Sequence, residues 1–215
     1  MSNEADGRDK LGGISFIVSG TLFLLKYLLD LISGPPPSRG AEILEWTAAE
    51  KLPLAFISEV LFVAAMFLIP GVIALYRRLA SIDRTKAALG CGIIAAVIPV
   101  VFVLLIVHGR LVYPVYDIQI NNSAVAELAV SVFYGGLHAV GLLLGVATIV
   151  LSLALRRGGY GKPITYLGMA TGVFDFIGAY PDRIGSILIL VSHGLFAAWF
   201  LAVGWKLYRR APSTA

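Results

Sequence analysis

The chain has 215 residues, of which 58% are hydrophobic and 14% charged, with a mean hydropathy of +0.86. Soluble domains carry about a quarter charged residues, so this composition excludes a water-soluble enzyme and leaves no length for a second soluble domain. The net charge of +4 does not point to nucleic acid, because the basic residues sit at the ends of apolar runs, where they set membrane topology.

A hydrocarbon core about 30 Å thick needs about 20 apolar residues in helix. Six runs meet that length, at 11–32, 53–76, 87–112, 124–155, 163–181 and 184–208. The fold class expected is all-α, a polytopic membrane helical bundle of six transmembrane helices forming one integral domain over 1–215. Twelve of the 17 Lys and Arg residues fall on one side of these spans, four on the other, and Lys26 inside the first. By the positive-inside rule both termini are cytoplasmic.

The N-terminus mixes Glu4, Asp6, Arg8, Asp9 and Lys10 and then enters the first span without a small-residue cleavage site, which reads as an uncleaved signal anchor. In that span Ser15, Ser19, Lys26 and Asp30 share a face. Gly34 through Arg39, with three prolines, ends it. Residues 41–51 can form a short helix on the outer surface, with Trp46 at headgroup level, or a solvated connector. The second span holds Glu59 and Pro70; the third holds Cys91, Pro99 and His108, and is followed by Arg110. The two prolines are expected to kink their helices. Cys91 is the only cysteine, so no disulfide forms within the chain, and inert packing is its expected role.

The fourth span carries Glu127, Ser131, Tyr134, His138, Gly141, Gly145, Thr148 and Ser152 at intervals of three or four, one continuous stripe along a helix. Such a stripe should face protein, since a charge turned toward lipid costs about 2.5–3.5 kcal/mol or more. Gly141 and Gly145 permit close approach of a neighbour. Thr165, Gly168, Gly172, Asp175, Ala179 and Asp182 repeat the pattern in the fifth span, and His193 lies in the sixth. Spans two, four and six end in Arg pairs, twice as Leu-Tyr-Arg-Arg (75–78 and 207–210), an interface anchor.

Depth follows from about 1.5 Å per helical residue. Counted from the cytoplasmic ends, Lys26, Asp30, Glu59, His108, His138, Asp175 and His193 all fall in the outer half of the bilayer, about 18–31 Å in. A polar pocket there is the expected site. Glu59 and Asp175 stand alone in apolar stretches. Two carboxylates in one dry pocket would separate into an acid and a base, with His138 and His193 near to complete a catalytic group. Lys26, Asp30, Tyr134, Glu127, His108 and Arg110 are the expected substrate-binding residues, although Lys26 and Asp30, four apart, also suit a structural pair. Arg110 and Arg183 at the outer mouth suit a phosphate or carboxylate headgroup, or ordinary snorkelling. His108, His138 and His193 come from three helices and would suit zinc or haem. No spacing signature supports either group, so no cofactor is expected.

The stretch Leu24-Leu25-Lys26-Tyr27-Leu28-Leu29-Asp30-Leu31-Ile32-Ser33-Gly34-Pro35-Pro36-Pro37, with Ala41-Glu42-Ile43-Leu44, Ser58-Glu59 and Ile69-Pro70 through Ala74-Leu75-Tyr76-Arg77, resembles uncharacterised six-helix membrane proteins of actinobacteria and related bacteria. The resemblance covers about the first 80 residues and implies a bacterial plasma membrane, with no activity attached. Two functions stay open from the residues. One is an acid–base enzyme, such as a cyclase, isomerase or hydrolase, acting on a lipid or isoprenoid-like substrate. The other is a non-enzymatic subunit that binds or transports a small solute or ion, or holds haem or quinone in a respiratory assembly. The expected partners are the bilayer and a lipophilic small molecule, with no nucleic acid.

Overall fold

Long helices follow from long stretches without a breaker; glycine, proline or asparagine marks the breaks after α1, α4 and α5, while Glu50 alone separates α2 from α3 and Ser81-Ile82-Asp83 separates α3 from α4. The computed structural model describes the backbone of residues 2–209 and every side chain within them except those of residues 2–6, 181, 182 and 186. The side chains of Glu4, Asp6 and Asp182, and Arg210 entirely, lie outside the described residues. The described residues form seven helices: α1 (Ser2–Ser33), α2 (Gly40–Ala49), α3 (Lys51–Ala80), α4 (Arg84–Val112), α5 (Ser123–Arg157), α6 (Lys162–Gly178) and α7 (Pro181–Arg209). The stops are local: Gly34 at φ 71° begins the proline run, Asp83 caps α4 through the Lys86 N–H, and the Asn122 side chain caps α5 at the Ala124 and Val125 N–H groups.

Five helical stretches are long and apolar enough to cross a membrane: Gly7–Ser33, Lys51–Ala80, Arg84–Val112, Ser123–Arg157 and Ile187–Arg209. The fifth expected span is shorter than anticipated, because α6 has 17 residues and extends about 25 Å. The sixth starts later, since α7 breaks at Gly185, whose φ of 64° is not helical. Pro70 and Pro99 lie inside α3 and α4, and both helices are assigned as continuous through them.

The long helices form a closed ring in which each packs on its chain neighbours and α7 returns to α1, while α2 lies across the ends of α3, α4 and α5. We call the end bearing α2 the outer end. The expected surface helix at 41–51 is therefore present, but Ile43 is buried on Ala126 and Val130, and Trp46 packs toward Leu54, Ile57 and Val112. Helix α2 is fastened to the bundle through these contacts.

The inner half of the ring is solid. Phe16, Phe23, Phe196, Trp199 and Phe200 interlock between α1 and α7, with ring centroids 4.8–6.1 Å apart. Close backbone approach completes the packing: a Cβ on Gly145 would stand 3.0 Å from the Gly172 carbonyl oxygen, and one on Gly13 would meet Gly204 and Tyr208 at 2.6–2.9 Å. Such contacts matter in a bilayer because lipid offers no hydrophobic drive between helices, leaving van der Waals contact and hydrogen bonds to hold them. At the inner rim Arg78 of α3 pairs with Asp9 of α1, tying the two helices. Cys91 is buried in this core, as inert packing requires.

Candidate functional site

The first helix turns its polar face inward, as the spacing predicts. Ser15 and Ser19 are fully buried, and the Ser19 hydroxyl donates to the Ala64 carbonyl at 2.9 Å. Two turns further out, the Lys26 ammonium donates to Asp30 Oδ2 at 2.5 Å. The two ends of this pair differ in access. Lys26 has 8% of its side chain exposed and Asp30 36%, so Asp30 is the exposed end and Lys26 the floor.

Around that floor stand groups from five other helices. The His193 ring of α7 stacks on Tyr27 at 3.5 Å and 9°. His108 of α4 is buried, its Nδ1 hydrogen-bonded to the Ser58 hydroxyl of α3 at 2.9 Å and its ring stacked on Phe133 of α5 at 4.3 Å. Asp175 is buried on α6, and its Oδ2 has no hydrogen-bond partner. Lys26 with Asp30, Tyr27 with His193, Ser58 with His108, Phe133 and Tyr134, and the buried Asp175 thus form a set of polar groups on six helices toward the same end of the bundle. It lies at the level of the outer ends of α6 and the helical part of α7, above the aromatic core.

Several expected members are elsewhere. Glu59 is exposed on the outer surface of α3, where Tyr113 donates to its Oε1 at 3.3 Å; the adjacent Ser58 takes the inward direction. The expectation of Glu59 and Asp175 sharing a dry pocket is therefore corrected, because successive residues on a helix point about 100° apart. Arg110 is also redirected. Its guanidinium donates to the Tyr113 and Ile118 carbonyls at 3.3 and 3.0 Å, holding the loop between α4 and α5 instead of facing a ligand. His138 sits at the rim, its Nδ1 2.5 Å from the Ala179 carbonyl oxygen and its ring edge-on to Tyr180. Arg183 is exposed.

The histidines thus have three separate sets of partners. Among the described residues no group of three His, Cys, Asp or Glu side chains converges to hold a metal ion.

The short α6 leaves the outer part of α5 without a neighbour on that side. Ala179, the C-cap of α6, meets His138, which lies well inside α5. The first 15 residues of α5, 123–137, therefore extend about 22 Å beyond the end of α6. Below that level the α5 stripe is covered: Gly145, Thr148 and Ser152 are buried. Above it the same stripe continues uncovered, with Glu127 and Ser131 exposed and Tyr134 and His138 half-buried. The stripe faces protein only along its inner part. Its outer part extends past the end of α6, and Leu128, Val132, Ile177 and Leu188 on the same three helices are exposed apolar residues.

Tyr27 and Ser58 were not evident from sequence. Each sits beside a charged neighbour, Lys26 or Glu59, that dominates a pattern search, and an aromatic or a serine in an apolar helix has no signature of its own.

These features define an all-helical, multi-pass, membrane-embedded bundle with a polar layer toward one end. No protein-family model matches the chain, and no curated protein or solved structure matches it either.

Proposed function

We propose that this is a bacterial plasma-membrane protein with six crossings and both ends in the cytoplasm, and that it binds a lipophilic small molecule. The ligand's polar end occupies the layer around Lys26 and Asp30, and its apolar body lies along the outer part of α5 beyond the end of α6. The observation that carries this reading is the uncovered outer stripe of α5, toward the same end of the bundle as a buried cation and exposed apolar side chains. A ligand matched to that surface is polar at one end and apolar along its length. The crossing of α6 is supported by its place in the ring between α5 and α7, and the orientation by the basic residues at the end opposite α2.

Acid–base conversion of such a molecule is the second reading, favoured by the buried Asp175, whose Oδ2 has no hydrogen-bond partner. A carboxyl group of this kind can exchange a proton with a bound hydroxyl or carbonyl. Glu59 has no part in it.

Organic extracts of the purified protein, compared by mass spectrometry with extracts of an unrelated membrane protein from the same host, test both readings. A lipophile enriched equally with wild type and Asp175→Asn identifies a binder. A different but related compound accumulating on Asp175→Asn identifies an enzyme, with substrate held where product was. No enrichment on the wild type contradicts binding.

A further inference from the structure

At the opposite end of the bundle a second surface has its own chemistry. A groove of about 580 Å³ between the start of α4 and the end of α5 is lined by Lys86, Leu153, Arg156 and Arg157. Asp83, just before α4, accounts for part of this charge. It pairs with Lys86 and accepts from Arg157 at 3.0 Å. The hydrogen bonds from the Lys86 side chain and backbone, with the Arg157 charge beyond them, hold the Asp83 carboxyl below the usual carboxylate range, so it stays ionised near neutrality. One carboxylate thus offsets two of the three cations lining the groove. Arg156 is exposed and has no ion-pair partner among the described residues.

The shape of the groove narrows the occupant. Leu153 lies about one turn deeper along α5 than Arg156 and Arg157, so the lining passes from cationic to aliphatic over about 5 Å. A free phosphate would fill only the upper part. A phospholipid places its phosphodiester among the cations and its glycerol and first methylenes against Leu153. Basic pockets between helices at the cytoplasmic face take anionic headgroups in this manner, and an arginine fork suits phosphate oxygens better than a lysine does.

We propose that the groove formed by Lys86, Leu153, Arg156 and Arg157 is a binding site for an anionic phospholipid of the inner leaflet, with Arg156 as its principal phosphate ligand. The site is independent of the outer polar layer and stands whether or not that layer binds a ligand.

Native mass spectrometry of the full chain, titrated in detergent with phosphatidylglycerol and separately with phosphatidylcholine, tests it. Arg156→Gln should weaken phosphatidylglycerol binding about fivefold, since each basic residue near an anionic surface contributes about 1 kcal/mol. Binding of phosphatidylcholine, whose choline cation offsets its phosphate, should be weaker from the start and should fall less. Arg209→Gln removes an exposed cation that lies over the Trp205 ring outside the groove, and should leave phosphatidylglycerol binding intact. Equal losses in the two variants would overturn the site in favour of general charge attraction, as would no loss in Arg156→Gln. Displacement of phosphatidylglycerol by equimolar inorganic phosphate would overturn the lipid assignment. Arg156 is exposed, and an unchanged thermal transition of the variant in detergent confirms that the change is local.

Discussion

Gly168→Ala is expected to destabilise the bundle by about 3 kcal/mol or more, although it adds one methyl group and improves helix propensity by about 1 kcal/mol. A Cβ at this position on α6 would stand 2.0 Å from the Ser152 hydroxyl of α5 and 2.3 Å from the Trp199 Nε1 of α7. Neither neighbour can yield easily. Ser152 and Trp199 are both fully buried, and the indole is locked against Phe200 at 5.1 Å. Accommodating the methyl group therefore separates α6 from two helices at once, along the surface where close packing replaces the hydrophobic drive that lipid does not supply. Gly92→Ala is the control. Nothing lies within 4 Å of its Cβ position, so the same substitution should raise stability by up to about 1 kcal/mol. Thermal unfolding in detergent should move the two variants in opposite directions. Equal shifts would mean that α6 is not packed as described.

The second large effect concerns Lys26. Replacing it by Met keeps length and volume but removes the buried cation, and should weaken binding of the copurifying lipophile by at least about tenfold, the range expected for a charge-assisted hydrogen bond. Loss of stability is a competing explanation, because removing one partner of a buried ion pair leaves the other uncompensated. Asp30 is 36% exposed along its side chain and can rehydrate, which limits that cost. The double variant Lys26→Met with Asp30→Asn separates the effects. Removing both charges should restore stability toward wild type while binding, measured by mass spectrometry of extracts, stays low. Recovery of binding along with stability would show that the pair only holds the helix.

Much of the architecture was legible before any coordinates. The apolar runs located the long helices, because length and hydropathy are set by the bilayer and not by a particular partner. The inward faces of α1 and α6 followed from spacing: Ser15, Ser19 and Lys26, and then Thr165, Gly168, Gly172 and Asp175, are all buried. The α5 stripe was correct in its periodicity but only partly so in its environment. Periodicity reports which residues share a face, while what covers that face depends on the length of a neighbour, here the early end of α6. Glu59 failed for a related reason. A lone carboxylate in an apolar segment is equally visible whether it points inward or outward, and its direction depends on the register of α3 against α1 and α4. The histidines share a depth range but not a meeting point. Depth is a single coordinate, and convergence also requires the angular position of each helix.

The measurement that bears most directly on the layer is access from outside. Cys91 is 4% exposed within the core, so the native chain gives a quiet background for single introduced cysteines. In intact cells treated with a charged, membrane-impermeant thiol reagent, cysteines replacing Ser131, His138 and Asp30 should be labelled, and those replacing Thr148 and Ser152 should not. Protection at Asp30 and His138, or labelling at Ser152 equal to that at Ser131, would show that no chamber opens over α6 and would contradict the site.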